Sequence, residues 1–253
     1  MIFLYYCGKI PLDGDDLMKA LVIIPCYNEE KNIVKTVEQI KNTKLKNITL
    51  DYIVINDGSS DNTKKVMVDN NINFIDLPFN LGIGGAVQTG YKYAYYNNYD
   101  IAIQFDGDGQ HNANYIKDLI KEIKNGNNVV IGSRFVANLS KFKSTRIRRM
   151  GIKFLSGLIR LVSGKKICDP TSGFRAVDRE IMELFANDYP IDYPEPDTIV
   201  TVIKKGYNVS EIPVEMNERE YGKSSINPIK SIYYMIKVSL AIIISSVSTK
   251  KGR

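Results

Sequence analysis

Two aspartates, Asp106 and Asp108, flank one glycine directly after the segment Ile101-Ala102-Ile103-Gln104-Phe105, inside the turn Asp106-Gly107-Asp108-Gly109-Gln110-His111. Carboxylates that close repel each other. A hard divalent cation such as Mg²⁺ or Mn²⁺ turns the repulsion into ligation and shares its remaining positions with substrate phosphates. The spacing is not that of a calcium EF-hand: counted from Asp106, His111 stands where the loop needs Gly and Lys117 where it needs Glu. Two further turns carry similar groups. Pro25-Cys26-Tyr27-Asn28-Glu29-Glu30 follows the apolar run Ala20 to Ile24, and Asn56-Asp57-Gly58-Ser59-Ser60-Asp61 follows Asp51 to Ile55. One such turn is as readily an Asx turn or a helix cap. Repeated on successive strand ends, they gather polar groups at the edge where open parallel sheets bind ligands.

Those turns need strands to hold them in line. The pattern predicts strands at Ala20 to Ile24, Asp51 to Ile55, Asn73 to Leu77, Asp100 to Phe105, Val129 to Ile131 and Asn208 to Val214. Helices are predicted around Ile33, Val37 and Ile40, over Asp61 to Val68, Gly84 to Tyr96, Tyr115 to Ile123 and Tyr193 to Lys205. Strand–helix alternation of this kind predicts an α/β fold with a doubly wound, mostly parallel sheet and flanking helices. The glycines of Asn80-Leu81-Gly82-Ile83-Gly84-Gly85 fit a tight turn and close helix–sheet packing, since Val87 spoils a dinucleotide fingerprint. Gly222-Lys223-Ser224 is not a P-loop, because Asn217 replaces its first glycine. Asp169 to Arg175 reads as a Pro/Gly turn leading to a helix near Asp178, with Arg175 in reach of a phosphate.

The 253 residues suit one such domain, and a hydrophobic content of 44 % with 25 % charged residues is ordinary for a globular chain. Residues 1–17 read as a poorly ordered leader, 18–225 as the domain, and 226–253 as a C-terminal membrane-associating helix with a basic tail. The net charge of +6 is modest and by itself implies no nucleic acid. Its placement is uneven: no acidic residue occurs between Glu122 and Asp169, while Arg146 to Val162 alternates cations with apolar residues at helical spacing. That surface suits phosphates or an anionic membrane. Ser231 to Ser248 is apolar, but as a helix it reaches only about 27 Å, short of a hydrocarbon core of about 30 Å, and reads as an amphipathic, interfacial helix. Cys7, Cys26 and Cys168 form no paired motif, and reduced thiols fit a cytoplasmic location. His111 is the one histidine, which excludes histidine-rich metal sites.

Taken in order, Pro25 to Glu29, Asn56 to Ser59, Asn80 to Gly82, Asp106 to His111, Gly132-Ser133-Arg134, Asp169 to Arg175 and Arg219 to Ser224 resemble family 2 glycosyltransferases of the GT-A type, in the dolichyl- or undecaprenyl-phosphate sugar synthase-like branch. The resemblance runs from about Ala20 to Ser225. It implies a nucleotide-sugar pocket lined by Pro25, Tyr27, Glu29 and Asp57, and Mg²⁺ or Mn²⁺ on the donor diphosphate at Asp106, Asp108 and Gln110. Arg134, Arg175, Arg219 and Ser224 would surround the diphosphate or an acceptor phosphate. The basic stretch Arg146 to Val162 would lie on the inner face of the cell membrane, where polyprenyl phosphate presents its head group. The sequence departs from the family pattern at Asn56, where a second aspartate is usual, and at Ser225, where the synthases carry lysine.

The implied reaction is an inverting transfer of a sugar to a polyprenyl phosphate. A second reading is a hexosyltransferase acting on a hydroxyl of a lipid-linked glycan in cell-surface polysaccharide synthesis; that acceptor needs a base, for which Glu195 stands first and Asp197 second. Two readings from other classes are a non-catalytic nucleotide- or lipid-binding subunit, against which the intact Asp106 and Asp108 argue, and a nucleotidyltransferase, for which no triphosphate loop follows the first strand. The sugar, the nucleotide base and the oligomeric state leave no mark in the sequence.

Overall fold

The continuous apolar run that opens the domain becomes the middle of a sheet, because a strand buried on both faces needs apolar residues without alternation. The computed structural model describes residues 4–5, 17–136, 146–217 and 228–248. In chain order come β1 (Leu4–Tyr5), β2 (Met18–Cys26), α1 (Ile33–Lys41), β3 (Ile48–Asn56), α2 (Thr63–Asp69) and β4 (Phe74–Asp76). Next are α3 (Gly82–Tyr96), β5 (Ile101–Gln104), α4 (Ile116–Lys124), β6 (Val129–Ser133) and α5 (Arg146–Ser163). The chain then forms β7 (Arg175–Asp178), α6 (Arg179–Asn187), α7 (Pro194–Lys204), β8 (Val209–Pro213) and α8 (Pro228–Ser248).

The eight strands form one sheet in the order β1-β4-β3-β2-β5-β7-β6-β8. Strands β2 to β6 and β8 run one way, whereas β7 runs against both β5 and β6, and the short β1 against β4. The mostly parallel sheet is as expected; β7 is not. The helix expected near Asp178 is α6, which Asp178 caps, but the approach to it, Arg175 to Asp178, is a strand running between β5 and β6. Of residues 1–17, Leu4 and Tyr5 pair with Ile75 and Phe74; residues 1–3 and 6–16 lie outside the described residues, and Leu17 is exposed.

Each face of the sheet buries one apolar cluster. Leu21, Ile23, Ile53 and Ile55 face α3, α6 and α7, while Val22, Ile24, Val54 and Ile103 face α1 and α4. The glycines of the Asn80 turn act differently from expectation. Gly82 does take a left-handed turn (φ +79°), but Gly84 packs against a loop, not the sheet: a Cβ there would lie 2.2 Å from the carbonyl oxygens of Pro190 and Ile191. Close helix–sheet contact belongs to Gly90, against Ile23. Gly84→Ala is therefore expected to destabilise the chain by about 1–3 kcal/mol, the usual result of overpacking, by forcing the Pro190–Ile191 backbone off α3; urea denaturation measures it.

Candidate active site

The carboxyl ends of β2, β3 and β5 do meet at one edge, and a mesh of short polar bonds fixes their loops. Asn28 sits in the left-handed region (φ 57°), and its side-chain oxygen accepts from the backbone N–H groups of Ser60 (2.8 Å) and Asp61 (3.3 Å). Glu29 N–H donates to Thr63 Oγ1 at 2.9 Å, and the Glu29 carboxylate accepts from the Asn32 amide at 2.6 Å. The first and second loops are thus one unit. Pro25 is buried and the Tyr27 ring is half-exposed at the rim, free to lie against a planar base.

Asp57 is buried, and one of its oxygens accepts the Leu81 N–H at 2.7 Å. Burial pushes its carboxyl above the usual aspartate range, against the pull of the Leu81 and Gly82 N–H groups. Beside it, Gly58 (φ +64°) lets the β3 loop pass the Phe79–Asn80 backbone, where a Cβ would meet Asn80 N at 2.7 Å. Asn56 donates to the Asp76 carboxylate at 2.6 Å, and Asp76 also pairs with Lys64 at 2.8 Å.

The acidic turn is braced by the single histidine. Asp106 N–H donates to His111 Nδ1 at 3.0 Å, which leaves the ring proton on Nε2, facing Asp106 Oδ2 at 3.5 Å. The imidazole stacks on Phe174 (centroids 4.9 Å apart, 19° between planes) and meets Phe105 edge-on. Asp106 keeps about a third of its side chain open. Burial of the carboxyl, then the neighbouring Asp108 charge, push it above the usual range, while His111 pulls the other way.

Asp108 is nearly closed off. One of its oxygens accepts the Gln110 N–H at 3.0 Å, and it lines a cavity of about 580 Å³ with Asn32, Lys35, Gln39, Asn112 and Asn217. The two carboxylates therefore repel as expected but border different surroundings, Asp106 towards Gln104 and Gly173, Asp108 towards α1. Among the described residues no three acidic, histidine or cysteine side chains cluster as a self-sufficient metal site. Two carboxylates and the Gln110 amide on one turn are nonetheless hard oxygen donors, the set that suits Mg²⁺ or Mn²⁺ when substrate phosphates complete the shell.

The two arginines expected to reach a phosphate are turned inward. Arg134 is buried and clamps Asp169 with Nε at 2.6 Å and Nη2 at 2.7 Å, the latter also donating to Thr171. Arg175, 1 % exposed, donates through Nε and Nη2 to the Ser172 carbonyl and through Nη1 to Thr198 Oγ1 (3.1 Å) and the Glu195 carbonyl (3.4 Å). Glu195, at the first turn of α7, is partly buried, and its carboxyl is pushed up by that burial against the pull of the Arg175 charge. Asp197 points elsewhere and accepts from Ser245 of α8. Arg219 and Ser224 lie outside the described residues; Asn217, two residues before Arg219, donates to the Gln110 carbonyl at 2.8 Å.

Sequence reasoning missed Gln104, Tyr91 and Tyr189. Gln104 is wholly buried near the Asp106 carboxylate, and neither end of its amide has a hydrogen-bond partner among the described residues. Its place two residues before Asp106, on the same strand face, was the available signal. The Tyr91 and Tyr189 hydroxyls lie buried in the same region, under the electrostatic influence of Arg175 and Glu195.

Comparison with known proteins places this edge in context. The family model "Glycosyl transferase family 2" matches residues 21–185. A UDP-N-acetylglucosamine–dolichyl-phosphate N-acetylglucosaminyltransferase of Methanococcus voltae is 32 % identical over 221 residues, covering 79 % of this chain and 86 % of that protein. A polyprenol monophosphomannose synthase of Mycolicibacterium smegmatis is 27 % identical over 242 residues, covering 92 % and 90 %. Among solved structures, a glucosyl-3-phosphoglycerate synthase of Mycobacterium tuberculosis, crystallised with Mn²⁺, UDP and phosphoglyceric acid, superposes with a TM-score of 0.69 at 17 % identity, covering 91 % of this chain and 79 % of that one. At that identity the likeness speaks to the fold alone.

Proposed function

Because the chain belongs to glycosyl transferase family 2, we propose that it moves a sugar from a UDP- or GDP-sugar to a polyprenyl phosphate, with inversion at the anomeric carbon. The acidic turn at the sheet edge carries the donor half of this reading, since Asp106, Asp108 and Gln110 offer oxygen ligands beside the clasped nucleotide loops. The acceptor half is supported by extended likeness to proteins named for transfer to dolichyl phosphate and for polyprenol monophosphomannose synthesis.

Asp106, Asp108 and Gln110 would hold Mg²⁺ or Mn²⁺, which would supply positive charge against a diphosphate leaving group. The protein does the rest. Pro25, Tyr27, Glu29 and Asp57 hold the nucleotide, and His111 keeps Asp106 oriented. Arg134 and Arg175 work from below: Arg134 as a buried positive charge that also steadies the Asp106 anion, Arg175 by tying the Ser172 loop to the start of α7. An acceptor phosphate is already anionic near neutrality, so no base is required. The enzyme works from the cytoplasm at the inner face of the cell membrane; among the described residues no helix is long and apolar enough to cross it.

A second reading rests on Glu195. A carboxyl pushed up by burial suits a general base for a sugar hydroxyl, which favours a lipid-linked glycan as acceptor. The deciding experiment is turnover of a panel of UDP- and GDP-sugars with Mn²⁺ or Mg²⁺, with and without polyprenyl phosphate, beside Asp108→Ala. Sugar on the phospholipid, absent in the variant and kept in Glu195→Gln, supports the first reading. Donor hydrolysis without transfer to the phospholipid, lost in Glu195→Gln, supports the second. No metal-dependent donor binding at all would sink both.

A further inference from the structure

Helix α8 has two faces with different occupations. Its inner face buries Val238 and Ile242 and holds the segment that carries Glu195 at successive points. Lys237 pairs with Asp192, the Tyr234 ring meets Tyr193 edge-on at 4.5 Å, and Ser245 donates to Asp197. Between those points the backbone is strained: Tyr193 takes φ 51° and ψ 55°, a left-handed conformation unusual for an aromatic residue, immediately before the two prolines that flank Glu195.

The outer face is apolar. Tyr233, Ile236, Leu240, Ile243, Ile244 and Val247 are 45–81 % exposed, and at 100° per residue they fall on one stripe. Helix α5 crosses beside it, with Gly151 against Met235, and exposes Met150, Phe154 and Leu161 among Arg149, Lys153 and Arg160. An apolar stripe of about 21 Å, too short to span a bilayer and bordered by cations, matches the interface of an anionic membrane in shape and charge.

We propose that α8 is an interfacial activation element: its outer stripe docks on an anionic bilayer, and its inner face relays docking to the Asp192–Asp197 segment, setting the position of Glu195. The relay rests on the glycosyltransferase reading; the docking does not. Tyr234 and Tyr193 are positioning residues in this scheme. Docking fixes α8 against the segment it already contacts, and α8 keeps Tyr193 in its left-handed state.

The test uses the full chain with phosphatidylcholine vesicles, with and without phosphatidylglycerol, and a short-chain, water-soluble prenyl phosphate, so that vesicles do not act merely by delivering acceptor. The native protein should sediment with the anionic vesicles, slow amide exchange over residues 191–198, and gain about tenfold in turnover, the usual size of a coupling between two sites. Leu240→Glu with Ile244→Glu, both exposed, should abolish vesicle binding and the gain while leaving vesicle-free turnover unchanged. Tyr193→Gly should bind vesicles as the native chain does and gain nothing.

Native protein that ignores anionic vesicles overturns the proposal. So does binding that leaves both exchange and turnover unaltered, or a dimer in solution that the paired glutamates dissolve, which would assign the stripe to a second copy. Absence of turnover under every condition would count against the glycosyltransferase reading, and vesicle-dependent exchange at 191–198 would then still decide this one.

Discussion

Asp106→Asn should lower turnover about a thousandfold, the typical loss when one preorganised group facing developing charge is removed, while leaving the fold intact or slightly more stable. The substitution keeps the shape of the side chain and the backbone bond to His111, so a structural role predicts little change. The stability gain follows from the sign of the shift. Burial and Asp108 hold the Asp106 carboxyl above its ordinary value of 3.8. The folded chain therefore binds a proton more tightly than the unfolded chain, and the ionised carboxylate costs stability once the pH exceeds that ordinary value. In metal-free protein Asp106→Asn should then melt at or above the native temperature near neutrality, and the advantage should vanish at acid pH below 3.8. Thermal melts in chelator, paired with calorimetric titration of Mn²⁺ and UDP, check both halves. A variant that melts earlier than native and still binds Mn²⁺ and UDP equally would assign Asp106 to the scaffold. Activity lost while stability is kept is the signature of a functional group that the fold does not need.

What the sequence discloses follows local period; what it hides depends on pairing across distance. The run Ala20 to Ile24 and the amphipathic pattern of Ile33, Val37 and Ile40 describe their own surroundings, so β2 and α1 were legible, and with them the edge where Asp57, Asp106 and Asp108 stand. Strand β7 was not. Its four residues begin and end on charges, with only Ala176 and Val177 between, and its antiparallel course through the sheet centre depends on β5 and β6 lying ready on either side. The role of Arg175 was misread for the same reason: a cation next to Phe174 at the start of a buried strand looks, in sequence, like a cation on a loop. The left-handed Tyr193 had no local sign either, because Tyr234 of α8 is its partner. The apolar length of Ser231 to Ser248 was legible, but which of its residues face outward was not, because the inner face is apolar as well. One long-range contact did leave a trace: Asp169 ends the acid-free stretch that starts after Glu122, and a lone carboxylate next to so many cations is a natural partner for one of them.

That partner is Arg134, and breaking the pair should be the largest single stability loss in the chain. Both side chains are at most 5 % exposed, with two short charge-assisted bonds between them and a third from the Arg134 N–H to the same carboxylate at 3.0 Å. Asp169→Ala strips a buried guanidinium of its counter-charge, which costs about 3–5 kcal/mol, a large part of the roughly 5–15 kcal/mol that holds a domain of this kind together. A drop in melting temperature of about 10 °C or more is expected. Removing both charges is a different experiment. Arg134→Met with Asp169→Leu leaves no orphan ion and should recover most of the loss, while the Ser172 bond to the Gly132 carbonyl at 2.6 Å still ties the loop to β6. Turnover of that double variant then separates two roles. If activity returns with stability, the pair is a lock and nothing more. If stability returns and turnover stays low, the positive charge of Arg134, which favours the Asp106 anion, is part of the electrostatics of the site, and its burial is the reason the charge acts at full strength there.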